Sequence, residues 1–542
     1  MTDQSLKTKA DDLQKVHLSE LFAGDGNRFD EFSTRCGPLL YDFSKQRLDQ
    51  EAMMLLSSLA DQADVSGWIK RLFSGDEVNS TEGRAAMHWL LRSPGENDET
   101  LHATWLQVGE QLDRMQVVVD KIHAGQWRGY TGGAITDVVN IGVGGSELGP
   151  LMCCRALEDT APEAARKLRV HYASSMDGSQ VSHLLRHLRP QNTLFIISSK
   201  SFSTVDTLYN ANTAKAWLER TFGDDEAVVR CHFLGVSSKP ELMSQWGIPE
   251  ANQLQLWDWV GGRFSVWSAI GLPVALKIGM HGFRDLLAGA HAMDTHFRTA
   301  PWLENIPALM ALIGIWNTNY LGIAANAILP YDGRLKHLPN YLSQLEMESN
   351  GKSARLDGSL VEDKTCPVVW GDIGPNAQHA FYQLLHQGTQ PVMCDFIAPA
   401  RRYHEPVHSE STAELQRQHQ LALANCLAQS RLLALGEAAL PEKEQLPSHK
   451  RYRGNQPSST MLMDSLTAYS LGMLLAAYEH KVFTQAVIWG INPFDQWGVE
   501  MGKKIATDML GQIQGEPANM AYDSSSSGLI GKILEAESGS TQ

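Results

Sequence analysis

Apolar positions recur every three to four residues through 51–60, 67–73 and 101–123, the spacing of one buried helix face, so the first hundred or so residues are predicted to be helical. From Ala134 the period changes. Short β-branched runs at 137–141 and 193–197 alternate with amphipathic stretches, the pattern of βαβ units around a parallel sheet. A second set of apolar runs, 367–370, 390–393 and 486–489, is read as strands of a second α/β lobe, with helices over 412–434 and 465–479 between them. Long helices are expected at 283–297 and 309–328, and a loosely held tail at the polar 524–527 run and the 535–542 end. The fold class is therefore α/β with two mainly parallel lobes. An N-terminal helical region spans 1–115, a first, smaller lobe 116–282, a second, larger lobe 283–510 and a C-terminal arm 511–542. No internal repeat of short period is visible.

The chain has 542 residues, more than one core usually serves, and 43 % are hydrophobic, enough for two lobes. Its formal net charge of -15 disfavours a nucleic acid or an anionic membrane as partner, since both attract broad positive fields. Any phosphate is then expected to be held locally, by a few placed cations. The seven cysteines show no CxxC pair, which fits a reducing cytoplasm. Residues 1–18 carry no apolar core of the secretory type, and the most apolar stretch, 308–329, is interrupted by Asn317, Thr318 and Asn319, so neither export nor a membrane span is expected.

Two loops follow predicted strands. Gly142-Val143-Gly144-Gly145-Ser146-Glu147 lets backbone N–H groups approach an anion at a helix start, although the same glycines also suit a plain tight turn. Glu147 stands where the dinucleotide pattern needs a small residue, and a carboxylate there would repel a pyrophosphate. Ser198-Ser199-Lys200-Ser201-Phe202-Ser203-Thr204 sets hydroxyls and a lysine at a strand's carboxyl end, suited to a phosphate monoester, while Thr204 or Asp206 could equally act as a helix cap. Asn350-Gly351-Lys352-Ser353 resembles the end of a Walker A loop, but Glu346 replaces its first glycine. His404-Glu405-Pro406-Val407-His408 matches a zinc motif in letters only, because Pro406 breaks the helix that would align both rings. His183 with His187 and His291 with His296 read as solvated helix faces.

Arg263, in Val260-Gly261-Gly262-Arg263-Phe264-Ser265, and Lys503, in Phe494-Asp495-Gln496-Trp497-Gly498-Val499-Glu500-Met501-Gly502-Lys503, each lie in a run too particular for packing alone, and point to a small anionic ligand. Gln344-Leu345-Glu346-Met347-Glu348 supplies two carboxylates; either could be a general base, a surface charge or a helix-end partner of Lys352. His379, in Asn376-Ala377-Gln378-His379, is read at a helix start, where a lone histidine is more often structural.

Together these blocks resemble the glucose-6-phosphate isomerase (phosphoglucose isomerase) family over residues 132–504, most specifically in Trp259–Ser268 and Gly490–Lys503. The resemblance implies α/β/α sandwich lobes of the sugar-isomerase type. It also implies a cytoplasmic homodimer with shared active sites, no cofactor, no metal, and interconversion of glucose 6-phosphate and fructose 6-phosphate in glycolysis and gluconeogenesis. By motif position Glu348 becomes the base that moves a proton between C1 and C2 through a cis-enediol. Arg263 stabilises the enediolate, and His379 of the partner subunit acts with Lys503 in ring opening. Ser146, Ser199, Lys200, Ser201, Thr204 and Thr207 surround the phosphate, Gln344 and Gln496 line the sugar, and Gly262 counts among the substrate-binding positions. The chain departs from many members at Glu147, Ser201, Ser203, Asp206 and Leu345-Glu346. Leucine at 345 is expected to resist a backbone geometry that a glycine would allow, and Asp206, one methylene short, to alter a contact that supports ring opening. A non-catalytic sugar-phosphate sensor, a glutamine-dependent hexosephosphate aminotransferase, which would need a cysteine nucleophile where Thr2 stands, and a metal-dependent mannose-phosphate isomerase are the rival classes.

Overall fold

Fully buried β-branched and aromatic runs build the sheets, and the computed structural model describes residues 2–95, 99–402, 411–440, 446–517 and 519–539. In chain order the strands are β1 (Ser33–Cys36), β2 (Leu39–Asp42), β3 (Asp137–Ile141), β4 (Arg169–Ala173), β5 (Thr193–Ser198) and β6 (Phe233–Ser237). They continue with β7 (Gln253–Gln255), β8 (Ala325–Pro330), β9 (Val368–Gly371), β10 (Met393–Arg401) and β11 (Ser458–Ser465). One sheet has the order β4-β3-β5-β6-β7 and is parallel throughout. The other, β1-β2-β11-β10-β8-β9, is parallel except where β2 runs against β11 and β1 against β2. The expected mixed α/β fold with mainly parallel sheets is what the chain adopts. The helices of 51–60, 67–73 and 101–123 are present as Gln50–Gln62, Val65–Ser74 and Glu99–His123.

Several elements differ from the expectation. Residues 486–489 are not a strand but the last turn of the helix Ala468–Trp489, which is buried on nearly every side; with no polar face, it shows no helical period. The strand in that region is β11, whose Ser458-Ser459-Thr460 start reads as polar. The stretch 309–328 divides into the helix Ile306–Ile315, a wide turn Trp316–Tyr320 and β8. The N-terminal region is not all helical, because β1 and β2 extend the second sheet. The supposed tail contains the helix Ser524–Gly539, packed on the helix Glu500–Ile513.

The chain forms two compact units, Met1–Pro493 and Phe494–Gln542. Within the first, the helices Leu272–Thr299 and Ala468–Trp489 lie side by side over a buried ionic network. The Arg92 guanidinium donates to both Asp294 oxygens, at 2.8 and 2.7 Å, and to Glu479 at 2.6 Å. Trp267 Nε1 donates to the other Glu479 oxygen at 2.7 Å, and His480 Nε2 lies 2.7 Å from Asp294. Among the described residues no helix is long and apolar enough to cross a membrane.

Candidate active site

In the first sheet the chain passes from β3 outward to β4, then crosses back to β5 and on to β6, so β3 and β5 form the topological switch point whose carboxyl ends leave an open crevice. Asn140, a buried polar residue in an otherwise apolar strand, ties the two loops there together. Its Nδ2 donates to the Ser146 carbonyl at 2.9 Å, and its Oδ1 accepts from Ser198 Oγ at 2.7 Å. Gly144 turns the chain with φ +60° before the helix Gly145–Leu157. A Cβ on Gly145 would stand 2.0 Å from the Gly262 carbonyl oxygen, so only glycine lets this loop abut the Gly262–Arg263 turn.

The β5 loop gathers hydroxyls and a lysine at the strand's carboxyl end. Ser199 is buried with its hydroxyl 3.3 Å from that of Thr204, and Ser203 Oγ donates to Ser201 Oγ at 2.8 Å. Phe202, packed into the first sheet's core, holds φ +47°, a strained conformation for an aromatic residue that bends the loop over the helix Val205–Phe222. Thr207, in that helix's first turn, has a buried hydroxyl with no hydrogen-bond partner, beside amides that no helical carbonyl satisfies. Lys200 donates to the Asp258 carbonyl at 2.8 Å; burial, with neighbouring Arg84, lowers its ammonium pKa to about 8.

Opposite this loop stands an arginine–carboxylate pair. Arg263 is 2 % exposed; its Nε donates to Ser349 Oγ at 2.6 Å, its Nη2 donates to the Pro493 carbonyl, and its Nη1 lies 3.5 Å from Glu348 Oε1. Gln344 Nε2 donates to the other Glu348 oxygen at 2.8 Å, and the Glu348 side chain keeps 25 % of its surface open. Two positions earlier on the helix Leu338–Asn350, Glu346 points the other way and is buried against Lys481 at 2.8 Å. Of the two candidate carboxylates, then, one is an internal ion pair and the other faces the cleft. Leu345 sits buried in an ordinary right-handed helix, so leucine meets no conformational resistance there and the expected strain is absent. Lys352 caps this helix by donating to the carbonyls of Glu348, Ser349 and Asn492, a structural duty rather than a phosphate-loop one.

The structure thus gathers Ser146, Ser199, Lys200, Ser201, Thr204, Thr207, Gly262, Arg263, Gln344 and Glu348 on neighbouring elements of one unit. His379 lies apart. It is exposed and follows the end, not the start, of the short helix Gly374–Gln378, near the carboxyl end of β8 where Gln378 donates to Tyr331 OH at 3.0 Å, and no hydrogen bond or ion pair joins it to Arg263 or Glu348. Gln496 and Lys503 belong to the second unit, where Lys503 pairs with Glu500 at 2.8 Å on an exposed helix face. His183 and His187 are exposed as expected, whereas His291 and His296 are half-buried rather than solvated, and burial pushes both rings' pKa values down. Among the described residues no group of three or more His, Cys, Asp or Glu side chains is placed to hold a metal ion; residues 404–408 lie outside the described ones. Sequence reasoning did not select Ser349 or Asn140. The signal for Asn140 was a polar residue inside an apolar strand, and for Ser349 its place next to the cleft carboxylate.

Fold and crevice together define a doubly wound α/β enzyme whose switch-point crevice is lined by hydroxyls, a lysine and an arginine–carboxylate pair. The family model for phosphoglucose isomerase matches residues 42–530. Glucose-6-phosphate isomerase of Acinetobacter venetianus is 56 % identical over 97 % of this chain and 95 % of its own length. Glucose-6-phosphate isomerase 2 of Chromohalobacter salexigens is 53 % identical over 98 % and 97 %. The crystal structure of a glucose-6-phosphate isomerase from Chlamydia trachomatis superposes with a TM-score of 0.84 at 30 % identity, covering 95 % of this chain and 96 % of that one. The chain belongs to the phosphoglucose isomerase family.

Proposed function

We propose that this protein interconverts glucose 6-phosphate and fructose 6-phosphate, and that Glu348 and Arg263 carry the proton-transfer step. The observation that carries this reading is the pair itself: a cleft-facing carboxylate held between Gln344 and a buried, permanently charged guanidinium, beside a hydroxyl- and lysine-lined switch-point crevice. The phosphate sits among Ser146, Ser199, Lys200, Ser201, Thr204 and Thr207, with Gly262, Gln344 and Gln496 along the sugar. His379 of the partner subunit and Lys503 assist ring opening; the exposure of His379, away from Glu348, supports its serving a second copy's cleft. Once the chain form is free, Glu348 takes the proton from C2 of the aldose, leaving an enediolate whose charge Arg263 faces, and returns it to C1, while the hydroxyl proton passes from O2 to O1 so that the carbonyl ends at C2. Reaction on a cytoplasmic homodimer in glycolysis and gluconeogenesis completes the reading.

The test is conversion of fructose 6-phosphate to glucose 6-phosphate by purified, EDTA-treated protein in D2O. We expect turnover undiminished by the chelator, with deuterium entering at carbon; binding of the sugar phosphate without turnover would move the reading to a sensor. Lys200 adds a pH dependence with a definite sign. Its ammonium is charged below about 8 and neutral above, so KM should rise as pH climbs through that value. Because a bound phosphate favours the charged form, kcat should stay flat over the same range. Lys200→Met should start with the raised KM and lose the pH dependence.

A further inference from the structure

The N-terminal turn at residues 79–84 belongs to none of the loops described so far, yet it touches both sides of the site. Backbone hydrogen bonds between Asn79 and Arg84 close it, at 3.1 and 3.3 Å. Glu82 stiffens it from inside by accepting from Asn79 Nδ2 at 2.6 Å and pairing with Arg84 at 2.6 Å. At one end Arg84 Nη1 donates to the Asp258 carbonyl at 3.0 Å, the same oxygen that accepts from Lys200. At the other end Asn79 Oδ1 and Thr81 Oγ1 both accept from the buried side-chain amide of Asn492, at 2.8 and 2.7 Å.

Asn492 stands at the end of a short strap that leaves the helix Ala468–Trp489 through Gly490. The strap presents two carbonyl oxygens to the site. That of Asn492 accepts from Lys352 Nζ at 2.9 Å, and the same ammonium grips the Glu348 and Ser349 carbonyls at 3.2 and 2.8 Å. That of Pro493 accepts from Arg263 Nη2. Where these two carbonyls stand therefore bears on where the guanidinium and the carboxylate stand relative to each other.

We propose that Asn79 and Thr81 are positioning residues for the isomerisation, fixing Arg263 against Glu348 by holding the Asn492–Pro493 strap. The inference rests on the reading that Arg263 and Glu348 carry the reaction. Without its acceptors the buried Asn492 amide must turn toward water, and the strap's carbonyls shift with it. Misplacing a reacting group by about 1 Å costs on the order of 100-fold in rate. The effect falls on kcat and spares KM, since the strap leaves the β5 loop untouched.

The experiment compares wild type, Thr81→Val, Asn79→Leu with Thr81→Val, and Thr81→Ser for kcat and KM on fructose 6-phosphate, with a thermal melt of each. Thr81→Val keeps the side-chain volume and removes one acceptor, which guards against a double variant that does not fold. We expect kcat to fall about tenfold in Thr81→Val and further in the double variant, with KM within about twofold and Thr81→Ser near wild type. Unchanged kcat in Thr81→Val and the double variant would overturn the inference and leave the functional reading standing. So would equal losses in Thr81→Ser and Thr81→Val, or a parallel rise in KM that tracks the melting temperature, since those mark a merely structural role. A wild type without turnover would overturn the functional reading, and this inference with it.

Discussion

Glu348→Gln is expected to lower kcat for isomerisation by about 10²–10⁴-fold, the usual contribution of a positioned general base, while KM moves little. Glutamine keeps the volume and can still meet Gln344 and Arg263 by hydrogen bonding, so the cleft stays filled and the phosphate contacts stay as they were. What it lacks is a basic oxygen at neutral pH. The size of the loss separates the two carboxylates of the segment. Glu346→Gln leaves the Lys481 ammonium buried without its counter-charge, so that variant should lose stability and keep the kcat of its folded fraction. Steady-state kinetics paired with urea titration read both quantities. A Glu348→Gln enzyme of wild-type kcat would remove Glu348 from the mechanism.

That the sequence did not separate Glu346 from Glu348 has a physical cause. Residues two apart on a helix are turned by about 200°, so a pair of this spacing must face opposite ways, but which faces the core depends on the helix phase. The Leu338–Asn350 helix is buried at Leu338, Tyr341, Leu342, Leu345 and Ser349 as well as Glu346, and only the first four are apolar signals. Likewise the parallel strands β3 and β5 were legible because burial on both faces forces continuous apolar runs, whereas β11 opens on serines and threonine that pair with the backbone of neighbouring strands. The helix Ala468–Trp489 hid its period for the opposite reason, burial all round. The switch-point loops could be placed from motif order, since strand ends and turn residues mark them. The strap at Asn492 and its partners at Asn79 and Thr81 could not, because a contact across 411 residues leaves no local pattern.

Arg92→Met should destabilise the fold by about 3–5 kcal/mol, because it leaves two buried carboxylates facing one removed charge. Asp294 and Glu479 are both buried, and Arg92 is the cation they share, with the rings of His88 and His480 alongside. In the wild type, burial alone would raise the Asp294 carboxyl, but Arg92 and His480 outweigh it and hold it down to about 2. An unfolded Asp titrates near about 3.9, so this group stabilises the fold fully above that value and loses its contribution as pH falls toward 2. Glu479 shifts the other way: burial prevails over its single Arg92 contact and raises its pKa, which blunts the acid loss. Without Arg92 the pocket must take up a proton, on a carboxyl or on the His480 ring, which burial otherwise keeps neutral. Either way the folded variant holds a proton that the folded wild type lacks near neutrality, so the variant must lose stability relative to the wild type as pH rises from about 5 to 8. The wild type gains stability from this network as pH rises through about 6.5, because burial keeps the His88 and His480 rings neutral while the unfolded rings take up protons. Urea midpoints of both proteins across those pH values give the comparison, and a variant profile parallel to the wild type would mean the network does not hold these charges as described. Replacing all three ionic partners together, Arg92→Met with Asp294→Asn and Glu479→Gln, should recover much of the loss and bring the profile back toward that of the wild type, because no buried charge is then left unpaired.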